Sequence, residues 1–87
     1  MGNDTFFDLC KREVVEYFSQ HAEKPDQKKI TEDDVFIVWA CKTLQNNKAL
    51  VSTTVPDGMY YEVTYDGDKQ QAYVDVYKKW QNYSVIV

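Results

Sequence analysis

Two short acidic runs and a handful of isolated nucleophiles are the residues of this sequence whose types suit chemistry. Glu32-Asp33-Asp34 sets three carboxylates in a row, and Asp66-Gly67-Asp68 resembles the opening of a calcium loop. A twelve-residue calcium loop needs further oxygen ligands at fixed spacings. The residues after Asp68 do not supply them, so a turn is the simpler reading. Glu32-Asp33-Asp34 is not tied by sequence to a His or to a second acidic cluster, and no metal is expected there. The chain has one His (His21) and two separated Cys (Cys10 and Cys41), too few for the usual four-ligand zinc site. Neither cysteine nor Ser52 carries a local nucleophile signature, and there is no glycine-rich phosphate loop. The expectation is a protein that is not an enzyme and uses no cofactor.

If these residues do not catalyse, the elements that carry them set the question. Eighty-seven residues suffice for one domain, 1–87, at the small end of what folds without staples. Seven Tyr, four Phe and two Trp compensate, because each buried aromatic removes a large area from water. The net charge of −4 is uneven: residues 1–34 hold nine acids against five bases, whereas 35–87 hold five of each. Without a basic stripe, binding to duplex DNA is not expected, since it relies on several Lys/Arg contacts to phosphates. An acidic run is most often a solvated face. With no signal peptide or long apolar run, the expectation is a cytoplasmic chain with reduced thiols and no membrane contact.

A helix is expected over roughly 5–21, opened by a capping-box-like Thr5/Asp8 pair. Phe7, Cys10, Val14 and Phe18 recur along it at helical spacing, flanked by Phe6, Leu9, Val15 and Tyr17. Pro25 and the polar residues around it read as a loop. "ITEDD" reads as a turn or one helical turn leading into a strand, and "VFIVWACKT", "KALVSTT" and "MYYEVTY" read as three strands. Asp68 suits the cap of a second helix over roughly 69–81, with Ala72, Tyr73, Val76, Tyr77 and Trp80 as its stripe. "YSVIV" reads as a short last strand. The expected fold class is α+β: an α-β-β-β-α order with room for a short C-terminal fourth strand, and both helices on one face of an antiparallel sheet.

The segment "WACKTLQNNKAL" decides the faces. With Asn46-Asn47 as a two-residue turn, Gln45 pairs with Lys48, Cys41 with Ser52 and Trp39 with Thr54. With Pro56-Asp57-Gly58 as the next turn, Val55 pairs with Met59 and Ser52 with Glu62. One face then collects Phe36, Val38, Ala40, Leu44, Ala49, Val51, Val55, Met59, Tyr61 and Val63 as the core, with Lys42 at its rim. The other collects Val35, Ile37, Trp39, Cys41, Thr43, Leu50, Ser52, Thr54, Tyr60, Glu62 and Thr64. Ile37, Trp39, Leu50 and Tyr60 are too apolar for an idle solvated face. The candidate binding residues are therefore Ile37, Trp39, Cys41, Leu50, Ser52, Thr54, Tyr60 and Glu62. Stacking of single-strand bases on Trp39 and Tyr60 is the rival use, opposed by the charge of Glu62.

The segments "VW…CKTLQNNKAL", "DGMYYEVTY", "GDK" and "YVDVYKKWQN" resemble a domain-of-unknown-function family of small proteins encoded by phages and prophages of Gram-positive bacteria. The likeness covers residues 35–82. It implies action in the cytoplasm of a bacterial host and brings no known activity, ligand or catalytic residue. A non-enzymatic accessory protein fits best, one that binds a host or phage macromolecule and inhibits host defence or metabolism, with a homodimer through the sheet face open to it. The alternatives are a single-strand nucleic-acid accessory and a protein that sequesters a small nucleotide-like ligand.

Overall fold

The computed structural model describes residues 1–21 and 29–87. The loop expected around Pro25 lies outside the described residues. Among the described residues one helix, α1, spans Asn3–Gln20 and buries Phe6, Cys10, Val14 and Phe18. These residues recur at every fourth position, so they form one stripe down the helix. The stripe runs through Phe6, and the expected Phe7 is only half buried. The Thr5/Asp8 cap does not form, because the helix begins earlier, with Gly2 at its N-cap. At the other end, the His21 backbone N–H donates to the Tyr17 carbonyl at 3.1 Å, and its ring Nδ1 lies 2.9 Å from the same oxygen. His21 thereby occupies carbonyl valence that a helix end leaves open.

Thr31 and Asp34 close the turn that leads into the sheet. The Asp34 N–H donates to the Thr31 carbonyl at 2.9 Å, and the Thr31 N–H donates to Asp34 Oδ2 at 2.9 Å. One turn of 3-10 helix, Glu32–Asp34, results. Four antiparallel strands follow: β1 (Val35–Thr43), β2 (Asn46–Thr53), β3 (Met59–Asp66) and β4 (Gln71–Lys78), adjacent in chain order.

The class is therefore α+β, but the second helix expected over 69–81 is absent and strand β4 stands in its place. Ala72, Tyr73, Val76 and Tyr77 fit both a helical stripe and a strand. Val74 and Val76, β-branched and alternating with Tyr73, Asp75 and Tyr77, favour the pleated surface. β4 then pairs with β3 from Met59↔Lys78 to Asp66↔Gln71. Asp66, and not Asp68, organises the connection. Its Oδ1 accepts from the N–H of Asp68 at 3.0 Å and of Lys69 at 3.2 Å, an Asx turn. "YSVIV" is not a strand; Tyr83, Val85, Ile86 and Val87 are exposed.

The turns differ from expectation as well. Leu44-Gln45 forms the first one, with Thr43 opposite Asn46 and Lys42 opposite Asn47. The second connection is residues 54–58, between Thr53 and Met59, with Gly58 at φ +73°. Both registers slide by an even number of places, so Trp39, Cys41, Leu50, Ala49 and Tyr61 keep their expected faces. A bulge between Ile37 and Trp39 does the opposite. It inserts one residue and turns everything before it over. Val35 and Ile37 therefore face α1, while Phe36 and Val38 are exposed, the reverse of the expected assignment. Leu44, expected in the core, is an exposed turn residue.

The core is Phe6, Cys10, Val14 and Phe18 of α1 against Ile30, Val35, Ala49, Val51, Tyr61 and Val63. Lys42 sits at its rim, as expected, and its Nζ donates to the Met1 carbonyl at 3.0 Å. Asn47 is also enclosed on this side, with both side-chain polar atoms lacking a partner among the described residues. Among the described residues no helix is long and apolar enough to cross a membrane.

Candidate functional site

With α1 on one side, the opposite face of the sheet has no cover among the described residues. Pleating sends alternate residues of each strand there, and register sorts them into rows. Trp39 lies opposite Leu50, Leu50 opposite Glu62 and Glu62 opposite Asp75. In the next row Cys41 meets Lys48, Thr64 and Tyr73 in turn. On the other side of the Trp39 row, Phe36 pairs with Ser52, and Tyr60 pairs with Tyr77.

Aromatic side chains frame the face. Phe36 is 47% exposed, Trp39 45%, Tyr73 45% and Tyr77 52%. The bulge turns Phe36 outward and leaves Val38 exposed beside it, which extends the apolar edge at β1. The tail does not close over the patch, for its own Trp80, Ile86 and Val87 are almost wholly exposed.

Charge sits in the middle of this frame. Lys48 Nζ lies 3.2 Å from Glu62 Oε1, a diagonal pair across β2 and β3. Both groups reach solvent, so the pair is worth at most about 1 kcal/mol. Glu62 also faces Asp75 directly, and like charges at opposed positions repel. Lys48 offsets one of these carboxylates. Asp75 has no ion-pair partner among the described residues. The remaining nearby cation, Lys79, lies over the Tyr60 ring at 5.4 Å from its centroid. The face is thus aromatic at its margins with a surplus of negative charge at its centre.

Of the residues expected to form the site, Trp39, Cys41, Leu50, Ser52, Tyr60 and Glu62 share this face. Ser52 is small enough to be shielded by its neighbours, and its hydroxyl donates to the Met59 carbonyl at 3.1 Å. Ile37 does not belong, since the bulge sends it toward α1. Thr54 lies past the end of β2. Its N–H donates to the Asp34 carbonyl at 2.8 Å and its hydroxyl to Asp34 Oδ1 at 3.2 Å. Phe36, Lys48, Tyr73, Asp75 and Tyr77 are the residues that the sequence reading missed. The alternation Tyr73-Asp75-Tyr77 was a usable signal for three of them; nothing in the sequence announced the bulge that turns Phe36 outward.

Cys41 is exposed and Cys10 is buried on the other side of the sheet. Among the described residues no three His, Cys, Asp or Glu side chains converge to hold a metal. The arrangement suits contact with a surface, where aromatics supply buried area and carboxylates select charge.

No curated protein matches the chain, and no solved structure does. A family model does match, over residues 7–87, and its description is a family of unknown function, DUF6275. The chain belongs to that family of unknown function.

Proposed function

We propose that this chain is a non-enzymatic binding protein of phage or prophage origin, working in the bacterial host cytoplasm, and that its uncovered sheet face is the working surface. The observation that carries the reading is the set of half-exposed aromatics, Phe36, Trp39, Tyr73 and Tyr77, gathered on a face that no helix of the described residues covers. Monomeric soluble proteins seldom leave such a patch contiguous unless something docks on it. The partner is a protein of the host or phage whose apolar surface carries a basic group for Asp75 and Glu62. Inhibition of host defence or metabolism is the proposed role of this binding.

A pull-down from host lysate with tagged wild type and Trp39→Ala tests this reading. A protein captured by the first and lost by the second supports it; equal capture by both removes the sheet face from the account. Light scattering of the purified chain separates a heterologous partner from self-association through the same face.

The rival is a single-strand nucleic-acid accessory. Aromatic platforms for bases work with basic surroundings, whereas Glu62 and Asp75 oppose phosphates here. Titrating the fluorescence of Trp39 and Trp80 with oligonucleotides at low and moderate salt is expected to give no quenching. Saturable quenching that weakens with salt would favour the rival. Free mononucleotides in the same assay test sequestration of a small nucleotide-like ligand.

A further inference from the structure

The helix-covered side of the sheet holds a concavity independent of the surface proposed above. Where α1 ends, a cleft of about 600 Å³ opens between the last helical turns, the β2–β3 connection and the ends of β3 and β4. Tyr17, Phe18 and Tyr61 wall it, and His21, Asp57 and Lys78 supply its polar groups. We propose that this cleft binds an organic cation, an alkylammonium or guanidinium group, between its aromatic walls with Asp57 as counter-ion.

Four observations converge on a cation. The aromatic walls are held in place by one another: Tyr17 meets Tyr61 edge-on at 5.7 Å and stacks on His21 at 3.9 Å. Ring faces attract cations through their quadrupoles. Asp57 is the carboxylate of the lining and is already oriented, because its Oδ1 accepts from the Met59 N–H at 3.0 Å. Its second oxygen has no hydrogen-bond partner among the described residues. The cleft also lies at the carbonyl end of α1, whose last turn carries no basic residue to offset the partial negative charge there.

The fourth observation is Tyr61. Its ring is buried, yet its hydroxyl bonds to no described residue. Burial first, then the Asp57 carboxylate, then Tyr17 push its phenol above the ordinary value of 10.0. The hydroxyl therefore stays protonated under a negative potential that a bound cation would relieve. Lys78 is the opposing charge. It is exposed on a long stem, so it can swing from the mouth, but its presence weakens a cationic ligand.

A free amine and a Lys or Arg side chain of a peptide present the same group, and the probes separate them. Nitrogen-15 NMR titrations would use n-butylammonium, N-acetyl-lysine methylamide and N-acetyl-arginine methylamide. N-acetyl-norleucine methylamide, N-acetyl-citrulline methylamide and N-acetyl-glutamate methylamide are the neutral and anionic controls. Saturable shifts at Tyr17, His21 and Tyr61 with the cations alone are expected. Saturation by n-butylammonium assigns a free amine, and saturation by the amino-acid amides alone assigns a peptide side chain.

Asp57→Asn keeps an oxygen for the Met59 N–H and removes the charge, so it should bind about tenfold more weakly or worse, the scale of a hydrogen bond to an ion. Tyr61→Phe, which keeps the ring, should weaken binding severalfold, and Lys78→Gln should tighten it. Trp39→Ala should leave this binding unchanged, which separates it from the open face. Cations that fail to saturate, an Asp57→Asn variant that binds equally, or an anion held through Lys78 would each overturn the proposal.

Discussion

The backbone N–H of Gly67 donates to the Asn46 side-chain oxygen at 3.0 Å, which ties the β1–β2 turn to the neighbouring β3–β4 turn. Gln45 adds a second tie by donating to the Asp68 carboxylate. The approach is so close that a Cβ on residue 67 would overlap the Gln45 carbonyl oxygen and side chain. Gly67→Ala should therefore cost roughly 2 kcal/mol or more, as forced overpacking does. Asn46→Gly should cost about 1 kcal/mol for the lost hydrogen bond. Urea denaturation midpoints measure both, and a neutral Gly67→Ala would show that the two turns part freely.

Leu44 carries the strain of the first turn. It sits at φ +55° with its side chain 82% exposed. A branched side chain gains nothing in water, and an L-residue in that region crowds its own Cβ. Leu44→Gly or Leu44→Asn should stabilise the domain by roughly 0.5–1 kcal/mol. A loss of stability in both would mean that the Leu44 side chain makes packing contacts in the folded domain that outweigh the strain of its backbone.

Trp39 should separate binding from folding. Since it stands half exposed on the uncovered face, Trp39→Ala should abolish partner capture and cost about 1 kcal/mol or less of stability, the range of most substitutions outside a core. Phe6→Ala, in the core beneath α1, should cost about 3–5 kcal/mol. Comparable losses from the two would mean that Trp39 is structural.

Cys10 predicts a pH dependence with a definite sign. Burial pushes its thiol from 9.0 up to about 12, with a backbone hydrogen bond pulling weakly the other way. Below about pH 9 the thiol is protonated in both folded and unfolded chains, so it adds no slope. Between 9 and 12 the unfolded chain releases the proton and the folded chain retains it. Stability is then lost as pH rises, by up to about 1.4 kcal/mol per pH unit. Tyr61, also raised, acts in the same direction, so the measurement is the difference in slope between wild type and Cys10→Ala. Thiol labelling at pH 8 should count one group, Cys41, in the native protein and two in denaturant.

Much of this fold was legible because strand faces depend on parity alone. The turn lies at Leu44-Gln45 and not at Asn46-Asn47, yet Trp39, Cys41 and Leu50 keep the face that alternation assigns them, since the slip is even. Asparagine side chains tolerate positive φ, but here Leu44 takes it and Asn46 bonds to Gly67 instead. The bulge before Trp39 left no mark in the sequence, and it alone exchanged Ile37 for Phe36. β4 was ambiguous in kind, because Ala72, Tyr73, Val76 and Tyr77 satisfy a period of 3.6 and a period of 2 together. Its few residues after the Asp66 turn, with valines on one side, are the better guide. The cleft was out of reach, for its walls come from residues 17–21, 56–61 and 78, joined only by the docking of α1.

Strand order equal to chain order has a kinetic consequence. Each pairing in the sheet is closed by a short connection, residues 44–45, 54–58 and 67–70, so little loop entropy is spent before contacts reward it. The sheet should zip from its turns, while the docking of α1 onto it joins segments distant in the chain. Refolding by stopped flow should therefore fall at the millisecond end for β-rich domains. A substitution in β4, such as Val76→Ala, should slow folding more than one in α1, such as Val14→Ala, at equal loss of stability, because the contacts of α1 form after the sheet.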